Sequence, residues 1–332
     1  MQKKIFILSI LLMLLSGMTF AQVADNEFTP SGKPFVKIFT NFHSMYEDNV
    51  SYNAFEVQRA YFGYGFKLSE NISGKVTLDV ANPASGKLDM TAFLKNAYFQ
   101  YKKGNFTTKF GLITLQQFKV SEKQWGGRYL YKSFQDQYKM GYSADLAFYT
   151  SYKFNKIATA DITVANGDGY KSIESDSILK YSAGLTLKPF KGLTFRTYYD
   201  YMGNNDIQQS VSFYVGYNIK NFKFGTEYNK QLNHKMIIDN TLAGFSAFGS
   251  YTINRSDVYH IRFFGRYDNL NSVIIGDAIE AWNFGKDGEV FIVGVEFNVA
   301  KGLKITPNYQ GWKPADGSPM MNIAYISCEI KI

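Results

Sequence analysis

Residues 193–201 read Leu-Thr-Phe-Arg-Thr-Tyr-Tyr-Asp-Tyr, and this stretch decides the fold. Its apolar side chains Leu193, Phe195, Tyr199 and Tyr201 alternate with polar ones. Successive side chains of a β-strand point to opposite faces, so this period of two predicts a strand with one apolar and one polar face. Similar alternation runs through the rest of the chain, and beyond the N-terminal segment no comparable stretch fits the pattern of an amphipathic helix.

Sixteen such strands are predicted, and the connections between them alternate between short and long. Seven short turns and eight long loops are what sixteen antiparallel strands require when both termini lie at the same end. The strands are expected roughly at 35–47, 53–68, 71–81, 92–102, 105–115, 141–154, 156–166, 178–188, 193–203, 209–219, 222–231, 241–253, 257–268, 288–299, 302–312 and 321–332. The long loops are expected near 48–52, 82–91, 116–140, 167–177, 204–208, 232–240, 269–287 and 313–320.

This organisation is typical of a transmembrane antiparallel β-barrel in the outer membrane of a Gram-negative bacterium. Closure of the sheet satisfies every backbone polar group, as the bilayer core requires. It also reconciles an aromatic content of 17% with a mean hydropathy of −0.21, because apolar and polar side chains occupy opposite faces. A soluble propeller or β-helix would need a motif repeated at a fixed period, and the sequence shows none.

The N-terminus has the pattern of a secretory signal peptide. Lys3 and Lys4 precede an apolar run, Ile5–Leu15, that is too short to span a bilayer, and Thr19-Phe20-Ala21 approximates a cleavage site. The sequence therefore predicts a signal peptide over residues 1–21 and a single barrel domain over residues 22–332.

The size of the barrel predicts its interior. A barrel of about sixteen strands leaves an aqueous channel, and the side chains assigned to the lumen by alternation are polar. The long third loop, about 116–140, is the candidate to fold inward and constrict this channel. It carries Lys119, Lys123 and Arg128 among its bases. An ordinary surface loop is the alternative.

Charge on the lumen face favours anions, because rings of like-signed side chains set ion selectivity. Alternation assigns ten bases and seven acids to that face. The bases are Lys37, Arg59, Lys75, Lys95, Lys109, Arg196, Lys223, Arg262, Arg266 and Lys304; the acids are Asp79, Asp145, Asp161, Asp200, Glu227, Asp268 and Glu296. The residues predicted to contact a passing anion are Arg59, Lys109, Arg262 and Arg266 of the wall, with Lys119, Lys123 and Arg128 of the third loop. A salt bridge between one of these bases and Glu227 is the alternative at mid-height.

Five short segments resemble the phosphate-selective porin O/P-like family in order and spacing. They are Phe55–Gly63, Leu94–Tyr101, Lys109–Leu112, Met140–Tyr142 and Asn166–Tyr170. The resemblance implies a trimeric sixteen-strand outer-membrane channel with an inward third loop and an anion-binding pore, and Arg59 occupies the position of the arginine in the first segment. The dense arginine ladder of that family has no counterpart here, so a general porin with weak anion preference fits as well or better.

Other chemistries find little support. His43, His234 and His260 lie far apart without metal-ligand spacing, and no serine or aspartate is placed against a histidine as nucleophilic catalysis requires. We therefore expect no metal, no cofactor and no enzymatic activity. Export from the cytoplasm argues against a nucleic-acid partner.

The sequence as a whole predicts an outer-membrane porin. It would allow passive diffusion of small hydrophilic solutes with a modest preference for anions, phosphate among them. The expected partners are these solutes, outer-membrane lipid and two further copies of the chain in a homotrimer. A surface barrel that acts as an adhesin or receptor through its external loops is the alternative function.

Overall fold

The computed structural model of the protein describes residues 28–47, 50–82, 87–256 and 258–332, so the predicted signal peptide lies outside the described residues. Within them, sixteen antiparallel strands form one closed barrel, in which each strand pairs with its neighbours in sequence and the first pairs with the last. This confirms the predicted fold class. The strands are β1 (Ser31–Glu47), β2 (Val50–Lys67), β3 (Ile72–Ala81), β4 (Thr91–Lys103), β5 (Phe106–Thr114), β6 (Ala144–Lys153), β7 (Ala158–Ala165), β8 (Lys180–Leu187), β9 (Leu193–Met202), β10 (Gln208–Ile219), β11 (Phe222–Leu232), β12 (Leu242–Asn254), β13 (His260–Ser272), β14 (Gly288–Ala300), β15 (Leu303–Pro314) and β16 (Met321–Lys331).

The predicted long loop at 48–52 is wrong. β1 and β2 remain paired up to Glu47 and Val50, so the connection between them is very short. The reason is that Val50, Ser51 and Tyr52 continue the pairing of β2 instead of leaving the sheet. The other long connections lie at the same end of the barrel, which is the external end in outer-membrane barrels.

The two faces of the wall differ as alternation predicts. In β9, Phe195, Tyr199 and Tyr201 are exposed on the outside, whereas Arg196 and Asp200 are buried inside. Exposed aromatic rings near strand ends include those of Tyr46, Phe106, Tyr152, Phe190, Phe222 and Tyr251. An apolar exterior with aromatic girdles around a closed barrel is the surface of a bacterial outer-membrane protein. None of the described helices is long and apolar enough to cross a membrane.

Two β-bulges change which side chains reach the lumen. Gln58 in β2 and Lys95 in β4 each have no partner in the pairing register. An extra residue reverses the alternation beyond it, so Lys95 and Asn96 both point inward although they are consecutive. In the same way, Glu56 and Arg59 both face the lumen on either side of Gln58. Glu56 accepts a hydrogen bond of 3.1 Å from the buried Asn41.

Candidate functional site

The connection between β5 and β6, residues 115–143, lies inside the barrel and is called L3 here. It contains two short helices, α1 (Lys119–Trp125) and α2 (Phe134–Gln137). Helix α1 ends at Gly126, whose φ of 68° lets its N–H reach the carbonyl of Glu122. Glycine adopts this left-handed conformation readily, which explains the sharp turn of the chain after the helix.

L3 attaches to one side of the barrel wall through apolar packing. Trp125, Tyr129 and Leu130 belong to one buried cluster with wall residues that include Val290 and Ile292. A second cluster joins Phe134 and Met140 of L3 to Leu242 and Leu270 of the wall. The expectation that the lumen-facing side chains are polar is therefore wrong for β12 to β14. Apolar side chains point inward there because L3 covers them and removes them from water.

Polar contacts fasten L3 to the same side. Ser121 donates to Glu227 of β11 at 3.4 Å, and Asn229 donates to the same oxygen at 3.3 Å. Among the described residues, Glu227 forms no salt bridge with any of the predicted bases. Gln135 donates to Ser212 of β10 at 3.1 Å. L3 thus lies mainly against β10 to β15. It also contacts β1, where the ring centre of Tyr129 lies 6.1 Å from that of the buried Phe39, but part of the lumen along β1 to β5 stays open.

Two of the predicted anion contacts lie underneath L3. The Arg262 guanidinium binds Glu296 at 2.7 Å and donates to the carbonyl of Trp125 at 3.2 Å. Arg266 binds Asp268 at 2.7 Å and donates to the carbonyl of Lys132 at 2.8 Å. Their exposed fractions are 7% and 5%. In this position both arginines hold the loop against the wall.

The open part of the lumen contains a narrow cavity of about 180 Å³ between L3 and β1 to β5, which we call the eyelet. Among the described residues that line it, five bases face a single carboxylate, that of Glu122. The bases are Lys37, Lys75, Lys95, Lys119 and Arg128. Lys37 also binds Glu329 at 3.6 Å, and the Lys75 ammonium lies 4.6 Å from the ring centre of Phe35.

Glu122 is held by two of these bases. Its carboxylate lies 2.5 Å from the Lys119 ammonium and 3.5 Å from Nε of Arg128. Burial on its own raises the pKa of this carboxyl, but the charges of Lys119 and Arg128 outweigh burial and lower the pKa below its usual value. Arg128 also binds Asp136 at 3.1 Å. The negative charge in the eyelet is thus surrounded by positive charge.

Arg59 lies at the wall beside the eyelet, in contact with the fully buried Asp79. The same oxygen of Asp79 lies 3.2 Å from Arg59 and 3.5 Å from the Lys95 ammonium. Tyr170, in the loop between β7 and β8, donates to that oxygen at 2.5 Å. Two cations share one carboxylate here, so one positive charge remains in excess.

The other two predicted residues differ in position. Lys109 lies over the rings of Tyr98 and Tyr149, 5.7 Å and 5.2 Å from their centres. It forms no ion pair with any residue that the structure describes. Lys123 is exposed in the last turn of α1, and it is absent from the described lining of the eyelet.

A wider cavity of about 650 Å³, the vestibule, lies on the external side of the eyelet. Ser143 lines both spaces, so they adjoin. The described lining of the vestibule includes six bases and two acids. The bases are Arg59, Lys132, Lys139, Lys171, Lys180 and Lys235, and the acids are Asp136 and Asp168. Arg59 and Lys180 pair with Asp79 and Asp200, so the excess of positive charge comes from the other four bases, and it continues from the external mouth into the eyelet.

Sequence reasoning missed several charged residues of the lumen, Glu329, Lys180 and Glu56 among them. Glu329 binds Lys37 and Lys304. Cys328 belongs to the outer face by alternation, so the next residue, Glu329, would have been assigned to the lumen. Lys180, at the start of β8, binds Asp200 at 2.8 Å. Glu56 could not be assigned to the lumen from the sequence, because the bulge at Gln58 reverses the alternation and nothing in the local sequence marks that reversal. The described residues contain no group of three or more His, Cys, Asp or Glu side chains that could hold a metal ion.

Comparison with known proteins shows a shared fold. No protein family and no curated protein matches the sequence of this chain. Among solved structures, OmpF of Salmonella typhi in complex with daunomycin is 12% identical, with a TM-score of 0.67 over 90% of this chain and 97% of that chain. An anion-selective porin from Comamonas acidovorans is 8% identical, with a TM-score of 0.62 over 92% of this chain and 100% of its own. The trimer form of in-vitro folded OmpT of Vibrio cholerae is 13% identical, with a TM-score of 0.56 over 92% and 100%. The protein thus has the fold of the outer-membrane porins.

Proposed function

We propose that the protein is a porin that lets small hydrophilic solutes diffuse passively across the outer membrane, with a preference for anions. The observation that supports this proposal is the eyelet, where the described lining contains five bases and one carboxylate. That carboxylate is already paired with Lys119 and Arg128. A passing anion therefore meets ammonium groups that have no full complement of negative partners.

Electrostatics explains why the distribution of charge matters more than its total. Arg196, Arg262 and Arg266 each pair with a buried carboxylate, so their charges are compensated within the wall. The eyelet and vestibule retain the uncompensated charge. Low-dielectric walls around a narrow aqueous passage concentrate the field of such charges and raise the local concentration of counter-ions.

Phosphate belongs to the solutes that this site accepts, but the geometry favours anions in general. An arginine fork recognises phosphate through two parallel hydrogen bonds, whereas lysine acts as a point charge. Arg59 and Arg128 are both engaged with carboxylates. The other bases of the eyelet are lysines. Lys75 forms no ion pair with a described residue, and Lys37, Lys95 and Lys119 each share a carboxylate with another base. Lysines attract chloride, carboxylates and phosphate without selecting a shape.

We also propose that three copies assemble side by side in the membrane, as in the trimer form of OmpT. Native mass spectrometry of the detergent-solubilised barrel tests this directly. A monomer at all concentrations would contradict it. The absence of enzymatic activity stays a prediction from the sequence.

The experiment that tests the proposed function is a planar-bilayer recording of the purified barrel under a gradient of potassium chloride. We expect a water-filled pore whose reversal potential has the sign of chloride selectivity. A potential with the sign of potassium selectivity would overturn the anion preference, and the absence of any stable conductance would overturn the porin itself. Adding phosphate at constant ionic strength then shows whether it competes with chloride for the passage.

A further inference from the structure

A second cavity of about 640 Å³ opens at the external end of the barrel, between L3 and β12 to β16. Five tyrosine and tryptophan rings line it, those of Tyr131, Tyr138, Trp282, Trp312 and Tyr325. Its volume lies within the range of roughly 300–1,000 Å³ that is usual for small-molecule sites, which are mostly apolar with a few polar groups. We call it the aromatic cavity.

The apolar lining is unusual for the inside of a water-filled barrel. Leu242 and Leu270 are accounted for, because they pack against Phe134 of L3. Trp312, Met321 and Ile323 lie on the lumen-facing positions of β15 and β16, and they border the open cavity. Hydrophilic solutes gain nothing from such a surface, whereas an apolar ring gains by leaving water.

The rim of the cavity is positively charged. Its described lining holds Lys139, Lys235 and Lys286 and no carboxylate. His234 stacks on Trp282, with ring centres 5.6 Å apart. Burial, together with the charges of Lys235, Lys286 and Lys139, lowers the pKa of His234 to about 4. The imidazole is therefore neutral at physiological pH, and the three lysines provide the charge.

Backbone strain coincides with two of these lysines. Lys139 and Lys235 have φ angles of 57° and 59°, and Asn233 and Met236 also lie in the left-handed region. Residues other than glycine adopt this backbone conformation at a cost in free energy, and such residues concentrate at ligand-binding sites. Lys139 and Lys235 line both the aromatic cavity and the vestibule, so they stand where the two spaces meet.

We propose that the aromatic cavity binds an amphipathic organic anion, an aromatic ring system that carries a carboxylate. The ring lies against the aromatic lining, and the carboxylate lies at the lysine rim. This site is distinct from the eyelet, because Trp282, Trp312 and Lys286 line the aromatic cavity and do not line the eyelet or the vestibule. A ligand bound there also occupies the border with the vestibule, and it therefore reduces the flow of ions.

The test uses the whole barrel in lipid nanodiscs with 2-naphthoate as the probe and empty nanodiscs as the background. We expect saturable binding of 2-naphthoate, at least about tenfold tighter than that of 2-naphthamide or of acetate. The amide has the ring without the negative charge, and acetate has the carboxylate without the ring. Binding no greater than that to empty nanodiscs, or equal binding of 2-naphthoate and 2-naphthamide, would overturn the proposal.

Variants assign the binding to this cavity. Lys286→Gln should weaken 2-naphthoate binding about threefold to tenfold, and Trp312→Ala should weaken it more, whereas Trp312→Phe keeps a ring and should retain most of it. Lys313→Gln is the matched control, because Lys313 follows Trp312 at the external end of β15 and is absent from the described lining. Unchanged binding in both Lys286→Gln and Trp312→Ala would overturn the assignment.

The reversal potential distinguishes a failure of the aromatic cavity from a failure of the proposed anion preference. Lys286→Gln should leave the reversal potential of the pore unchanged, since Lys286 does not line the described part of the vestibule or eyelet. A change of that potential as large as the one caused by a substitution in the eyelet would show that the two sites are one, and would contradict a separate cavity. The heat-dependent shift of the barrel in gel electrophoresis confirms that each variant is folded.

Discussion

Tyr129 of L3 donates a hydrogen bond of 2.7 Å to Glu296 of β14, and this contact fastens the loop to the far wall of the barrel. The same carboxylate oxygen binds Arg262. Burial and the negative charge of Glu296 both raise the pKa of Tyr129, so the phenol keeps its proton and remains a donor throughout the neutral range. The position of L3 inside the barrel thus depends on charge-assisted hydrogen bonds.

We expect Tyr129→Phe to loosen L3 without unfolding the barrel. The substitution removes a hydrogen bond to a charged group, worth about 1.5–3 kcal/mol, and leaves the packing of Trp125 in place. Single-channel recordings should show a noisier open current. Tyr309→Phe is the control, because the Tyr309 hydroxyl donates to Asn322 of the adjoining strand and has no contact with L3. Equal noise in the two variants would argue against the anchor.

Substitution of Lys119 should lower anion selectivity more than substitution of Lys75. Lys75→Gln removes one positive charge from the eyelet. Lys119→Gln removes one as well and also takes away the closer of the two partners of Glu122. Reversal potentials under a salt gradient give the ranking of the two variants. Lys313→Gln, at the external end of β15, is the control. If both eyelet variants match the wild type, the eyelet does not set selectivity.

The pH dependence of selectivity should follow Glu122. Because Lys119 and Arg128 hold the pKa of this carboxyl below its usual value, it stays ionised from neutral pH down to about pH 5. Anion selectivity should rise only below that, as protonation removes the negative charge from the eyelet. The carboxylate also loses its ion pairs as the pH falls through that lowered pKa, so its contribution to stability disappears in the same range.

Glu122→Gln provides the matching control for this titration. The variant should show at neutral pH the higher anion selectivity that the wild type reaches only in acid, and the part of the acid-induced rise that is due to Glu122 should be lost. An identical pH profile in the two proteins would assign the titration to another carboxylate.

Arg266 should matter for stability and much less for selectivity. Its guanidinium and Asp268 are buried together, and removal of one partner leaves an uncompensated buried charge. Such losses reach about 3–5 kcal/mol. We expect Arg266→Gln to unfold at a clearly lower denaturant concentration, and the double variant Arg266→Gln, Asp268→Asn to recover much of the difference. A large change in reversal potential with unchanged stability would instead support the sequence-based prediction of an anion contact.

The barrel could be predicted because its main physical requirement is visible in the sequence. A strand between lipid and water must alternate apolar and polar side chains, and residues 193–201 do so. The face on which Arg262 and Arg266 lie followed from the same alternation. The partners of these two arginines could not be predicted from the alternation, because pairing with Glu296, Asp268 and the L3 backbone depends on how distant segments pack. The aromatic cavity was also unforeseen, since its lining comes from five strands and three loops.

The bulge at Lys95 has a consequence for the density of polar side chains along the lumen wall. In a regular strand, side chains on one face are separated by about 6.8 Å, twice the rise per residue. An inserted residue places two successive side chains, those of Lys95 and Asn96, on the same face of β4. A cation and an amide donor are thereby brought as close as the backbone allows, which is a spacing that an uninterrupted pleat cannot supply. The geometry of the sheet, and not only its composition, thus raises the number of polar side chains per unit length of the lumen wall.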